Sequence, residues 1–281
     1  MVTSGVVLAR ARAEADQMVT GERPCVDIDE ARSMPMSTVG CMNALAPHDV
    51  RKLLIWDFDG TLAYRQGLWS GALLQILDRE APGHTVQLEQ LRPALQRGFR
   101  WHAPDQAHPL GSADEWWAEL QPLFKRAYVE AGLSEPLAQR CARQMRQQYT
   151  DSAHWSVYAD TVPVLQQLST EGWTHAVLTN HVPEFRRLLE GLELAAFFDV
   201  AVNSAETGFE KPHPEAFRVV LRAFPEAVAV CMIGDSLTAD VAGAQGVGLP
   251  VIQVRGRLRQ DRVDARTYIG CRNGCGSCFL R

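Results

Sequence analysis

Leu53-Leu54-Ile55-Trp56-Asp57-Phe58-Asp59-Gly60-Thr61 places two carboxylates, one residue apart, at the end of four consecutive apolar residues. A run that is apolar at every position suits a parallel strand covered on both faces. The Gly60-Thr61 pair then turns the chain. An aspartate at such a strand end can be a nucleophile, a metal ligand or both, and a second one two residues on can handle a proton. Partners for the pair come from the ends of neighbouring strands.

Three later segments look alike: 174–178, 228–233 and 251–254. Helical patterns lie between them. One begins at Asp160 with Val162, Leu165 and Leu168 on one face, and two more cover 183–192 and 214–224. Strand and helix alternation implies an α/β fold with a doubly wound, mainly parallel, Rossmann-like sheet. The expected catalytic core is 51–67 with 156–256. Such sheets bind ligands at the carboxyl ends of their strands.

Residues 68–155 interrupt the alternation and read as helices over 69–80, 88–99, 114–131 and 135–149. Trp116, Trp117, Leu120, Phe124 and Val129 approximate an apolar stripe at helical spacing, so the tryptophans are expected to pack inside a helical subdomain. The insertion follows the first strand directly, which lets it sit over the strand ends as a lid. Residues 1–50 lack periodicity and read as a flexible extension, with Met34, Met36 and Met42 as alternative starts.

Composition narrows the function classes. The chain has 281 residues, is 46% hydrophobic and has a formal net charge of -5, which suits a core of ordinary size and does not point to nucleic acid. No apolar run reaches the roughly 18 residues of a membrane span. Gly5-Val6-Val7-Leu8-Ala9 is too short for the apolar stretch of a secretory signal. Seven scattered cysteines fit a reducing, cytoplasmic setting better than a disulfide framework. Only Lys52, Lys125 and Lys211 are lysines among 28 basic residues, so a lysine at a critical place stands out.

The strand ends supply a set suited to phosphoryl transfer. After Asp57 and Asp59, the second strand ends in Thr179-Asn180. Glu210-Lys211-Pro212 brings a lysine before a helix, and Gly234-Asp235-Ser236 with Asp240 adds two carboxylates. Mg²⁺, a hard cation preferring oxygen, can bridge a phosphomonoester dianion and a carboxylate, with Asp57 and Asp235 as side-chain ligands. Thr179, Asn180 and Lys211 are the expected substrate contacts, with Lys211 neutralising charge on the transferring group. Asp57 would attack phosphorus, and Asp59 would protonate the leaving oxygen and then deprotonate water.

These motifs resemble those of the haloacid dehalogenase-like hydrolase superfamily over residues 52–256. Asp57-Phe58-Asp59-Gly60-Thr61 resembles its first motif, Thr179 its second, Lys211 its third, and Gly234-Asp235 with Asp240 its fourth. The insertion is similar to the cap of the subfamily whose helical cap follows the first strand. The resemblance implies an aspartyl-phosphate on Asp57 and acid/base work by Asp59. It implies Mg²⁺ held by the Asp57 side chain, the Asp59 main-chain carbonyl and Asp235, with Asp240 supporting the site from behind. It also separates reactions: family dehalogenases and phosphonate-cleaving members lack an acid at the position of Asp59. Lys125, the only lysine of the insertion, reads as an exposed position and not as a Schiff-base lysine.

A phosphatase of a small phosphorylated metabolite is therefore expected. A sugar phosphomutase shares the aspartate pair and stays open, as does a non-catalytic binding protein on the same scaffold. His213 departs from the third motif and reads as a helix-entry residue. Tyr64, Arg65, Trp69 and Trp101 could face the substrate, with packing or solvent exposure the plainer expectation. The tail 257–281 is basic, and Cys271, Cys275 and Cys278 raise the question of a zinc site. Oligomeric state is not readable.

Overall fold

The computed structural model describes residues 52–255. The extension over 1–50 and the tail with Cys271, Cys275 and Cys278 lie outside the described residues.

Five strands form a wholly parallel sheet: β1 (Lys52–Trp56), β4 (Thr174–Thr179), β5 (Val200–Asn203), β6 (Ala229–Gly234) and β7 (Val251–Gln253), in the order β5-β4-β1-β6-β7. The strand ending in Asp57 is central, with Ile55 paired to Ala176 on one side and Met232 on the other. Successive side chains of a strand point to opposite faces. Leu54 and Trp56 accordingly join one buried cluster, and Leu53 and Ile55 join another with Phe217 and Val220. Helices cover both faces, as in a doubly wound fold.

β5 was not expected. Its four residues are all buried, and a run this short carries no readable period. A second unexpected element is the antiparallel ribbon of β2 (Ala63–Arg65) and β3 (Trp155–Val157), which carries the chain out into the helical insertion and back. The insertion holds α1 (Leu68–Glu80), α2 (Ala113–Glu130), α3 (Glu135–Arg143) and α4 (Met145–Thr150).

The helix expected over 88–99 is instead one turn at Leu88–Leu91 and a 3₁₀ turn at Pro93–Gln96. Pro93 has no N–H to continue the ladder, and Gly98 takes φ +103°. The helix expected over 135–149 breaks into α3 and α4 at Gln144, whose side chain donates to Glu80 Oε1 (2.7 Å). Trp116, Trp117, Leu120 and Phe124 are buried as expected, but Val129 is exposed. Lys125 is only part-exposed and pairs with Glu135 (2.7 Å). No described helix is long and apolar enough to cross a membrane.

One buried histidine makes the fold acid-sensitive. His175 on β4 accepts from Trp56 Nε1 (3.0 Å), and its Nε2 lies 3.1 Å from Ser169 Oγ, which itself donates to Leu165 O. Burial pushes its pKa from 6.5 down to about 4. Between those values the unfolded chain binds a proton that the folded ring refuses, so stability falls as pH falls through the window. A shift of this size is worth on the order of 3 kcal/mol. His175→Gln should make the stability curve shallower between about pH 6.5 and 4, with the buried His181 still contributing to the slope there, read by urea unfolding at a series of pH values.

Candidate active site

The expected residues converge at the carboxyl ends of β1, β4 and β6. The backbone N–H of Asp57 continues the ladder to Ile233 O (2.8 Å), which fixes the carboxylate at the sheet's upper edge. Asp57 is buried, and its Oδ2 accepts from Thr61 Oγ1 (3.1 Å). The turn after it is closed by Gly60, Leu62 and Ala63 bonding back within the loop, and Asp59 forms an isolated bridge with Ala63.

Lys211 sits between two carboxylates. Its Nζ donates to Asp57 Oδ1 (2.7 Å) and to Asp240 Oδ1 (2.6 Å), in a site where all three side chains are nearly inaccessible. Its backbone is clamped: Lys211 N–H donates to Asn180 Oδ1 (2.7 Å), and Asn180 Nδ2 donates to Lys211 O (2.9 Å). Asn180, expected at the substrate, thus spends its amide on holding the lysine loop. His213 follows as a helix cap, its Nδ1 accepting from Glu215 N–H (3.1 Å).

Asp240 belongs to a π-helical turn, Leu237–Ala242, entered through Ser236, whose side chain accepts from Ala239 N–H. Its second oxygen accepts from Ser236 N–H (2.9 Å). Gly234 leaves the room for it, since a Cβ there would fall 2.3 Å from the Asp240 carboxyl carbon. Among the described residues, Asp57, Asp235 and Asp240 form a group whose ligand oxygens lie within 4.8 Å of one another. Asp59 offers no carboxylate to that group.

Three carboxylates facing one ammonium leave negative charge in excess. Asp57 responds with a pKa well above the ordinary carboxylate value, through burial first and then through Asp240 and Asp235, against the opposing pull of Lys211. Burial opposes the charge on Lys211, yet Asp240 and Asp57 outweigh it and hold its pKa above the ordinary lysine value. An oxygen-only, under-neutralised cluster is the donor set a hard divalent cation prefers. The Thr179 hydroxyl is buried at the end of β4 and has no hydrogen-bond partner among the described residues.

Three buried neighbours were not singled out as site groups by sequence. His181 packs on Phe58, the Tyr149 phenol feels the charge of Asp59, and Glu210 precedes Lys211. Glu210 is pushed up to about 7, by burial against the opposing effects of Ser204, Arg100 and Lys211. Tyr149 and His181 lie in no local pattern that marks them, and Glu210 sits in the Glu210-Lys211-Pro212 run, where only the lysine drew attention. Trp69 and Trp101 pack in the insertion, with Trp69 stacked on Tyr149 at 3.7 Å between centroids. Tyr64 is exposed.

The family model of the haloacid dehalogenase-like hydrolases matches residues 51–248. The chain belongs to this family. It is 29% identical over 236 residues to the phosphoserine phosphatase of Thermus thermophilus, covering 76% of this chain and 92% of that protein. The HAD-hydrolase YfnB of Bacillus subtilis superposes with a TM-score of 0.59 at 22% identity, covering 77% of this chain and 92% of that one. A 2-haloacid dehalogenase of Pseudomonas syringae superposes with a TM-score of 0.52 at 26% identity, covering 76% and 91%. Family membership thus carries two chemistries, at phosphorus and at a carbon–halogen bond, and the choice between them falls to the residues of this chain.

Proposed function

We propose that this haloacid dehalogenase-like hydrolase is a Mg²⁺-dependent phosphatase of a small phosphomonoester, acting through an aspartyl-phosphate on Asp57. The observation that carries the reading is the Lys211 ammonium, 2.7 Å from Asp57 Oδ1 inside a carboxylate cluster. A compact ammonium held there can neutralise charge on a phosphoryl group arriving at Asp57. The unpartnered Thr179 hydroxyl is a ready donor to a phosphoryl oxygen. The acid at position 59 supports P–O chemistry over dehalogenation, because a leaving alkoxide needs a proton and a leaving halide does not. The similarity to a phosphoserine phosphatase points the same way.

In this reading Asp57 attacks phosphorus while Asp59 gives its proton to the leaving alcohol oxygen. Asp59 then takes a proton from the water that hydrolyses the acyl phosphate, restoring Asp57. Lys211 and Thr179 hold the phosphoryl oxygens. Asp240 and Asn180 position Lys211, one through its ammonium and one through its backbone. Mg²⁺ would be held by the Asp57 and Asp235 carboxylates and the Asp59 main-chain carbonyl, where it supplies positive charge that lets nucleophile and substrate dianion approach. The helical insertion would act as a cap that excludes bulk water.

The test is phosphate release from a panel of phosphometabolites with Mg²⁺ and after chelation. Turnover that needs Mg²⁺ is expected, and carbon–halogen cleavage without phosphate release would overturn the reading. Binding is also readable in the fold: Mg²⁺ at about 100 times its Kd should stabilise the protein by about 3 kcal/mol, seen as a rise in melting temperature that EDTA reverses.

Gly60→Ala probes the same site without replacing a ligand. Gly60 has φ +87°, and a Cβ there would lie 2.7 Å from Asp235 Oδ2. The left-handed backbone costs an L-residue about 1–2 kcal/mol, and Asp235 must shift. We expect Mg²⁺ affinity to fall about tenfold or more with the fold retained, as measured by metal titration of the melting temperature.

A further inference from the structure

Two buried side chains beside the site keep polar atoms for which no described residue is a partner. Arg65, on β2, is 2% exposed. Its Nη2 donates to Gln75 Oε1 (2.8 Å) and to Gln148 O (3.2 Å), while Nε and Nη1 are buried and unpaired. The groups that do hold it are neutral: an amide, a carbonyl and the ring of Tyr149, 5.8 Å from the guanidinium carbon. Charged side chains are rarely buried this fully without a counter-charge, because the desolvation is otherwise unrepaid. Burial accordingly holds the Arg65 pKa below the ordinary arginine value, against the weaker opposing pull of Tyr149 and of the Asp151 carboxylate, which makes no hydrogen bond to it among the described residues. His181 is the second: it is 3% exposed and neither ring nitrogen has a partner.

Both surround Tyr149, and Tyr149 leads to the reaction centre. The His181 ring lies 5.9 Å from that of Tyr149 and 5.5 Å from Phe58, the residue between Asp57 and Asp59. The Tyr149 phenol is held above its ordinary pKa by burial and then by the charge of Asp59, with Arg65 opposing. Arg65 itself lies two strand residues beyond Ala63, which bridges to Asp59, a distance of about 7 Å along the chain. The phosphoryl group is already met by Lys211 and Thr179. What remains is the leaving side, next to the acid that protonates the leaving oxygen.

We propose that Arg65 binds an anionic group on the leaving alcohol, along a wall formed by Tyr149, with His181 as a neutral hydrogen-bonding contact. The inference rests on the phosphatase reading and names its substrate class: phosphate esters of small hydroxycarboxylic acids. A water could occupy the free N–H groups but would bring no charge to them. One carboxylate matches one guanidinium, whereas a second phosphate dianion would call for a further cation. His181, pushed down to about 3 by burial, stays neutral and contributes shape and hydrogen bonds instead of charge.

Matched esters test this on the full-length protein with Mg²⁺. Phosphoglycolate and hydroxyethyl phosphate differ in the carboxylate alone, and ethylene glycol bisphosphate replaces it by a second phosphate. The expected result is a kcat/KM about 100-fold higher for phosphoglycolate, the penalty being a buried polar group left unpaired by the neutral ester. Arg65→Gln should bring that ratio close to one, mainly through KM, and Arg65→Lys should keep part of it. Equal hydrolysis of phosphoglycolate and hydroxyethyl phosphate by the wild-type protein would overturn the proposal and leave the phosphatase reading standing, whether or not Arg65 variants fold. A preference for the bisphosphate over both would overturn the carboxylate class. If no ester, nitrophenyl phosphate included, releases phosphate, the phosphatase reading fails instead. Calorimetry on Asp57→Asn protein then decides the subsite: tighter binding of phosphoglycolate than of hydroxyethyl phosphate supports it, and equal affinity sinks it.

Discussion

Asp57→Asn should fold normally and lower phosphate release by about 10⁴-fold or more, the scale seen when a covalent nucleophile is removed. The amide keeps the shape of the carboxylate: its oxygen can accept from Lys211 where Oδ1 does at 2.7 Å, and its NH2 can donate to the Thr61 hydroxyl that reaches Oδ2 at 3.1 Å. What it loses is the charge that attacks phosphorus. Stability should move the other way in metal-free protein. The Asp57 carboxyl is held above its ordinary pKa by burial, Asp240 and Asp235, so the folded state binds that proton more tightly than the unfolded chain does. Stability is then lost as pH rises from the ordinary value through the raised one, so at neutral pH the carboxyl group is a cost. Asparagine removes that cost. A melting temperature at or above wild type in EDTA, with turnover gone, is the expected pair of results. Turnover close to wild type on a generic aryl phosphate would count decisively against a nucleophilic Asp57.

Lys211 should give the largest loss of stability. Among the described residues its ammonium is the only cation bonded to the Asp57 and Asp240 carboxylates, and it is 2% exposed. Lys211→Met keeps the length of the side chain and removes the charge. Breaking a buried ion pair from one side costs about 3–5 kcal/mol, because the remaining charges stay desolvated and unpaired. For a chain of this size that is a fall of about 10 °C in melting temperature. Added Mg²⁺ should restore part of it, since the cation supplies positive charge to the same carboxylates. Lys211→Arg is the sharper catalytic test. One nitrogen now reaches two oxygens at 2.7 Å and 2.6 Å, a geometry that a planar guanidinium cannot copy in the same volume. We expect a folded protein with turnover down about 100-fold or more, the scale of one lost charge-stabilising donor. Ordinary turnover by Lys211→Arg would show that bulk charge suffices there.

Much of this site is legible in the primary structure because its members sit where short, wholly apolar segments end. A buried central strand leaves a contiguous signal, so 53–56, 174–178 and 228–233 announce themselves, and Asp57, Thr179 and Asp235 follow at their ends. Lys211 is conspicuous in a chain that otherwise writes positive charge as arginine. β5 is not legible because four buried residues carry no period. The ribbon of β2 and β3 is not legible because Ala63 and Val157 pair across the whole insertion with nothing local to mark it. Arg65 is the most instructive case. A charged residue after a turn reads as solvent-exposed, and it is buried only because Gln75 from α1 and Gln148 and Tyr149 from α4 close over it. The same holds for His181, enclosed by Phe58, Tyr149, Trp155 and Phe185. Asn180 was legible as a site residue but not in its task, since its partner is a backbone thirty-one residues away.

The most direct measurement is acid quenching during steady-state turnover of a phosphomonoester with Mg²⁺, followed by mass spectrometry of the peptide carrying Asp57. An acyl phosphate on Asp57, absent from the Asp57→Asn protein and from protein treated with EDTA, is the predicted result. Phosphate released at full rate with Asp57 unmodified, under conditions where an acyl phosphate survives the quench, would contradict it.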